Sequence, residues 1–533
     1  HHYKIHLWDY EKPSRAGPSA ARAGQAAPKI AHMWHMPGHT FSRLKRYGDA
    51  VWQQEASSRA DHAHMIRDRV MPYEIHNYAH NQEWCVRNML YIGRVRDAIA
   101  LSKNLIEAPQ HPKRNTLSKR GSCAAYGRSR LLQTLNTYEL WDEAKTLCDS
   151  VYLEPSDSRG EQVKRLRLLG AACLETGDLD RGKEQIAALE EQLKAVEKDI
   201  EKAAENAKKK ATKEKKKEAQ VKKAVEAAKK SKSGSLKSVK DGLNDLRVRL
   251  AIAEGRKEDA LKLMPKLTGL HKANLARLWF AAGDKDKAES VAKEAAGAVN
   301  EIYPLAVQAE IFHRAGKAKE AKKTFEKLRK QSAHLDLDVP VFQRLAELAK
   351  SNNCPDDWRV EYKLRKDIGD RPDLASIGPL RWTPSKAPAW ALPNDQGKTL
   401  ASREYEGRPV LVIFYLGYGC LHCVEQLAAF APKAEEYQKA GIEIVAVSTD
   451  PVNVLQKAVE ASGRKEPFPF PLLSDESLKA FKDFRAHDDF ENVPLHGTYL
   501  IDAEGFIRWQ DVSYEPFTEP DFLLKECKRL LAQ

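Results

Sequence analysis

No run of about 18 apolar residues occurs in this 533-residue chain, so no segment reads as a membrane-spanning helix. Cysteine is scarce and unpatterned: the eight cysteines stand singly apart from Cys420 and Cys423, which excludes a disulfide-stapled framework. Excess charge is missing from most of the chain, although the net charge is +13. Between Lys194 and Lys240, 17 lysines face 7 acidic residues, so most of the excess lies in one low-complexity stretch and the remainder is close to neutral. Such a run reads first as a solvated helical face, and no nucleic-acid partner is expected. Glycine and proline are absent from Lys183 to Lys232, where Ala, Lys, Glu and Gln dominate. That composition favours helix, and residues 194–240 are expected to form a peripheral Lys-rich helical or disordered insertion. The sequence has no initiator Met and opens in mid-pattern with HHYKIHLWD, as a processed product or a fragment would.

What is present is a repeated helical pattern. A glycine followed five positions later by alanine recurs in helix-forming surroundings: Gly93 and Ala98, Gly255 and Ala260, Gly283 and Ala288, Gly316 and Ala321. This implies paired antiparallel helices, with glycine at the turn and alanine where the second helix approaches its neighbour closely. The spacing of the later copies lies near the tetratricopeptide period of about 34 residues, and residues 1–350 resemble an all-α tetratricopeptide-like solenoid. We expect His-rich repeats over 1–112, further repeats over 113–193 and 241–350, and the Lys-rich insertion between them. The resemblance implies a protein partner along the helical scaffold.

After Asn352 the texture changes. A Pro-, Asp- and Gly-rich stretch, residues 351–386, reads as a linker. Beyond it VLVIFYLG, IEIVAVSTD, FPLLSD, GTYLIDAEG and FIRWQDV alternate with helical patterns, which argues for an α/β domain over 387–533.

That domain carries the chemistry. Cys420 and Cys423 follow a strand-like run and open a helix-like one, in FYLGYGCLHCVEQLAAF. A helix N-terminus favours the thiolate, the reactive form of cysteine, and three-residue spacing puts both sulfurs within disulfide reach. The stretch from APAWALP through GCLHCVEQL to LHGTYLIDAEG resembles the redoxin branch of the thioredoxin fold, the alkyl hydroperoxide reductase and thiol-specific antioxidant group. The resemblance implies thiol redox chemistry with a redox partner protein and no cofactor. It leaves two reactions open. Peroxiredoxins carry F-Y-P-x-x-x-T-x-x-C; laid on Phe414 and Tyr415, this puts Leu416 at the Pro, Cys420 at the Thr and Cys423 at the peroxidatic position. Gln426 stands where the family usually has Glu, and His496 where an Arg often helps hold the thiolate. Missing Pro and Thr favour thiol–disulfide exchange, with Cys420 attacking and Cys423 resolving, over peroxidase chemistry, in which the roles invert. The resemblance and the missing start together suggest an exported or periplasmic location.

Ten of the 17 histidines and five of the six methionines precede residue 90. His2 and His6, His35 and His39, and His76 and His80 are four apart, with His32 one turn before His35. Residues so spaced share a helix face, and two imidazoles there are able to grip one metal ion. HNYAH has a zinc-helix spacing, but Asn77 occupies the place of the glutamate base that a zinc protease needs. Zinc and copper are the candidate metals, copper because Met and His are interleaved in AHMWHMPGH. Buried histidines bonded to carboxylates or carbonyls would produce the same pattern. A non-enzymatic scaffold and a metal-handling protein therefore stand beside the oxidoreductase reading.

Overall fold

A computed structural model describes residues 1–298, 301–417, 419–461 and 467–532. The chain forms two compact units. The first comprises His1–Ser58, His80–Ile106 and Ala125–Asp373, and the second Arg59–Ala79, Glu107–Ala124 and Leu374–Gln533. The boundary at Asp373 falls inside the stretch expected to be a linker.

The first unit is built from helices. At the four repeated turns the glycines take left-handed backbone, with φ between 74° at Gly255 and 103° at Gly283, a conformation that costs other residues about 1–2 kcal/mol. The four paired alanines, Ala98, Ala260, Ala288 and Ala321, are all fully buried. The pairing of turn glycine with close-packed alanine therefore holds at each copy.

The Lys-rich stretch is helical and only partly peripheral. One helix runs over Leu179–Lys213, a second over Glu218–Ser231 and a third over Ser233–Ala253. The middle helix buries no residue. Its neighbours do: Val196 and Val239 sit in one apolar cluster with Leu189, Leu243 and Leu246. The expectation of a wholly peripheral segment therefore fails at both ends, because isolated valines among lysines were enough to pin the flanking helices to the core.

The second unit is an α/β domain. Two strands, β1 (Ala391–Pro393) and β2 (Thr399–Ala401), form a small hairpin ahead of the main sheet. The main sheet contains β3 (Val410–Tyr415), β4 (Glu443–Ser448), β5 (Leu472–Ser474), β8 (His496–Ile501) and β9 (Ile507–Ser513), in the order β5-β4-β3-β8-β9. Strands β6 (His487–Asp488) and β7 (Val493–Pro494) form a second hairpin. β3 and β8, the strands that position the thiol site, are central. β3 pairs parallel with β4 and antiparallel with β8, Phe414 lying opposite Gly497. All six residues of β3 and of β8 are buried, as expected of strands covered on both faces. One face packs on the Leu421–Phe430 and Pro520–Leu531 helices through Leu411, Ile413, Leu427, Phe430, Leu523 and Cys527.

Two segments from the helical half of the sequence belong to this unit. His62 meets the Pro379 carbonyl at 3.0 Å, the Trp509 indole N–H donates to the Gln110 carbonyl at 2.7 Å, and His111 lies 3.2 Å from Asp511. These contacts span hundreds of residues, beyond the reach of any periodicity in the sequence.

Candidate functional site

Strand β3 ends at Tyr415, and the next residues turn sharply to start a helix. Gly417 makes that turn with φ +94°, and its carbonyl accepts the Cys420 N–H at 3.2 Å. A Cβ at this position would stand 2.5 Å from an Asp450 carboxylate oxygen. The Thr449 hydroxyl donates to the Leu416 carbonyl at 3.1 Å, tying the turn to the end of β4.

Cys420 is the N-cap of the Leu421–Phe430 helix. Its sulfur accepts the Cys423 backbone N–H at 3.3 Å, the role an N-cap oxygen normally fills. Cys420 is half-buried, whereas Cys423 is 1% exposed. The two sulfurs are joined as a disulfide, with Cα atoms 5.3 Å apart. Cys423 Sγ also accepts the Leu416 N–H at 3.3 Å. Proline, which the peroxiredoxin pattern places at this position, has no N–H to give.

His496 opens β8 and completes the site. Its Nε2 lies 3.2 Å from Cys423 Sγ and 3.7 Å from Cys420 Sγ. Its Nδ1 lies 2.9 Å from the Tyr514 carbonyl oxygen, which is able only to accept. Nδ1 therefore carries the proton, and in the neutral ring Nε2 presents its lone pair to the sulfurs. Burial lowers the His496 pKa below 6.5, against the raising effect of the carbonyl bonds, which favours the neutral, basic form at pH 7.

Gln426 is fully buried, and its amide donates to the Thr498 hydroxyl at 3.1 Å, two residues along β8 from His496. It joins the first turns of the helix to the strand that carries His496. His422 is exposed and pairs with Glu425 at 3.1 Å. Cys420, Cys423 and His496, the candidates named from the sequence, lie together here, with both sulfurs within 3.7 Å of His496 Nε2. The Leu416 N–H and the Tyr514 carbonyl were not among the candidates, because backbone groups leave no mark in residue identity.

Six histidines of the first unit gather in two trios. His35, His39 and His80 offer ring nitrogens within 4.8 Å of one another, as do His2, His6 and His32, and the sulfurs of Cys420 and Cys423 with His496 form a third such group. His76 belongs to none of them. It lies exposed in the turn before the helix that starts at Tyr78, and Asn77 has φ +66°. The four-residue spacing of His76 and His80 thus crosses a helix start instead of sharing a face, which corrects the expectation for that pair. Asp9 and Glu83, carboxylates near the histidines in sequence, pair with arginines: Asp9 with Arg43 at 2.9 Å, and Glu83 with Arg87 at 2.6 Å and with Arg130.

Comparison with known proteins places the second unit. Residues 384–510 match the AhpC/TSA family. The chain is 34% identical over 165 residues to the chloroplastic peroxiredoxin Q of Suaeda salsa, covering 31% of this chain and 75% of that protein. It is 32% identical over 145 residues to the chloroplastic peroxiredoxin Q of Populus jackii, covering 27% of this chain and 65% of that one. Among solved structures, peroxidoxin BcpB from Mycobacterium tuberculosis aligns over 28% of this chain and 96% of its own, with 23% identity and a TM-score of 0.25. Through its C-terminal redoxin domain, the chain belongs to the AhpC/TSA family of peroxiredoxin-like proteins.

Proposed function

We propose that this protein is a thiol–disulfide oxidoreductase whose redoxin domain is carried on a tetratricopeptide-like, partner-binding helical scaffold. The supporting observation is the difference in exposure between the two sulfurs. Cys420, at the helix N-cap, is half-buried and is the more accessible sulfur; Cys423, 1% exposed, is held by the Leu416 N–H and His496. In this reading the Cys420 thiolate attacks one sulfur of the substrate disulfide and expels the other as a thiolate. His496 Nε2 takes the Cys423 proton, and the Cys423 thiolate then attacks Cys420 Sγ, releasing the second substrate sulfur. The substrate gains two electrons, the site becomes the Cys420–Cys423 disulfide, and an external dithiol returns it to the reduced state.

One observation favours peroxide reduction as the second reading: Cys423 stands at the family's peroxidatic position and is the sulfur nearer His496. A single pair of variants separates the two. Under exchange, Cys420→Ser abolishes reduction of a protein disulfide and Cys423→Ser accumulates a mixed disulfide through Cys420. Peroxide consumption that survives Cys420→Ser, with sulfenic acid on Cys423, would replace the exchange reading with the peroxidase one.

A further inference from the structure

The six clustered histidines form a continuous row. On the Ala31–Arg43 helix, His32, His35 and His39 follow one another at three- and four-residue intervals. Ring centroids lie 6.1 Å apart between His32 and His35 and 4.4 Å apart between His35 and His39. His2 and His6, on the His2–Trp8 helix, meet His32 at 5.0 and 5.9 Å. His80 closes the other end, 5.1 Å from His35 and 5.8 Å from His39. Exposure is lowest in the middle of the row: His6 is exposed, His2, His32 and His80 are half-buried, and His35 and His39 are buried.

A histidine serving only as a packing group turns its nitrogens to other kinds of partner. His62 does so, with Nδ1 3.0 Å from the Pro379 carbonyl and Nε2 2.9 Å from the Tyr78 hydroxyl. The inner trio differs. His35 and His39 turn their Nε2 atoms towards each other at 2.7 Å. The Gln54 amide oxygen lies 2.7 Å from His35 Nδ1, accepts the proton there and leaves His35 Nε2 as a lone pair. His39 Nδ1 is buried and has no hydrogen-bond partner among the described residues, which is unfavourable for a buried polar atom. Trp84 packs against His39 at a tilt of 52°, with ring centroids 4.0 Å apart, and holds that ring in place.

We propose that His35, His39 and His80 form a buried site for a late first-row transition-metal ion, zinc or copper, and that His2, His6 and His32 form a second, more exposed site of the same chemistry. Three neutral imidazoles make a donor set suited to both metals and leave one position open in a tetrahedral shell. With metal–nitrogen bonds of about 2.0 Å, the His35 and His39 nitrogens would stand roughly 3.3 Å apart, so binding asks only for a small opening of the present pair. Gln54 is the positioning residue: it fixes the tautomer that turns Nε2 to the metal, as outer-shell partners of ligating histidines commonly do.

The test uses the full chain with Cys420→Ser and Cys423→Ser, so that no thiolate at the redox site contributes. The protein is incubated with Zn(II), and separately with Cu(I) under anaerobic reduction, then desalted and analysed for metal, with X-ray absorption to identify the ligand atoms. About two equivalents of at least one metal in a nitrogen-only shell are expected. His39→Asn with His80→Asn should remove the more tightly held ion, and His6→Asn with His32→Asn the other. His76→Asn should leave both, and Gln54→Ala should weaken the inner ion roughly 10–100-fold. A single ion lost with His39→Asn and His80→Asn would overturn the outer site alone. Retention of less than about a tenth of an equivalent of either metal, or retention that survives all four histidine substitutions, would overturn the whole proposal. Circular dichroism of each variant separates lost ligands from lost fold.

Discussion

His496 bridges a backbone carbonyl and a buried sulfur: Nδ1 sits 2.9 Å from Tyr514 O while Nε2 sits 3.2 Å from Cys423 Sγ. The carbonyl fixes the tautomer, and the tautomer aims a base at the thiol. His496→Gln removes that base, and the pH midpoint for alkylation of the reduced site should move upward. Each unit of movement slows alkylation at pH 7 about tenfold. The background in this measurement is small. Burial pushes the Cys148 thiol up to about 11 and Cys123 up to about 12, and raises Cys85 and Cys527 further still. Cys354, half-buried, is removed by Cys354→Ser before the titration. An unchanged midpoint would show that His496 is only a packing partner of the sulfurs.

Acid should destabilise the fold through His62. Burial lowers its pKa from 6.5 to about 4, outweighing the Pro379 carbonyl bond that raises it. Below pH 6.5 the unfolded chain takes a proton that the folded state refuses, so stability is fully present above 6.5 and declines as pH falls towards 4. The contribution over that window is about 3 kcal/mol. His62→Gln should shrink the loss of stability between pH 7 and pH 5 in denaturant titrations. A parallel loss in both proteins would assign the acid sensitivity elsewhere.

Local chemistry made the redox site legible in the sequence, and long-range contacts hid the rest. The strand, the sharp turn and the helix that hold Cys420 and Cys423 are contiguous, so their order was visible in FYLGYGCLHC. The α/β alternation after residue 387 was visible for the same reason, and so were the turn glycines with their buried alanines. His32, His35 and His39 share a helix, and their spacing carried the information. His76 did not, because a helix starting at Tyr78 cannot be told from one starting two residues earlier by histidine spacing alone. The assignment of Arg59–Ala79 and Glu107–Ala124 to the redoxin unit rests on bonds such as Gln110 N–H to Glu526, at 2.7 Å across 416 positions. Nothing near either residue announces it.

The Lys-rich helices should divide sharply in their tolerance to change. Val239 is 1% exposed in a cluster with Leu189, Leu243 and Leu246. Val239→Ala removes two methyl groups from that cluster and should cost about 2 kcal/mol. Lys213, Lys222, Lys223 and Lys229 are exposed, and changing each to Gln should move stability by less than about 0.5 kcal/mol. Thermal denaturation of the single variants reads both effects. Equal sensitivity at Val239 and the lysines would mean that the charged face itself packs against something.

Gly417 should prove the least replaceable residue near the thiols that is not itself a cysteine. Its φ of +94° is costly for any residue with a Cβ, and that Cβ would meet the Asp450 carboxylate at 2.5 Å. Gly417→Ala must therefore shift either the turn or the end of β4. The turn carries the Leu416 N–H that bonds Cys423 Sγ and the Gly417 carbonyl that receives the Cys420 N–H. Its movement should loosen both sulfurs at once. We expect a stability loss of about 1–3 kcal/mol together with a slower closing of the Cys420–Cys423 disulfide, measured by quenched-flow alkylation. Adding Asp450→Ala relieves the clash but leaves the backbone strain, so the double variant should recover only part of both losses. Full recovery would assign the effect to the carboxylate contact alone, and no loss in Gly417→Ala would show that the turn adapts without disturbing the thiols.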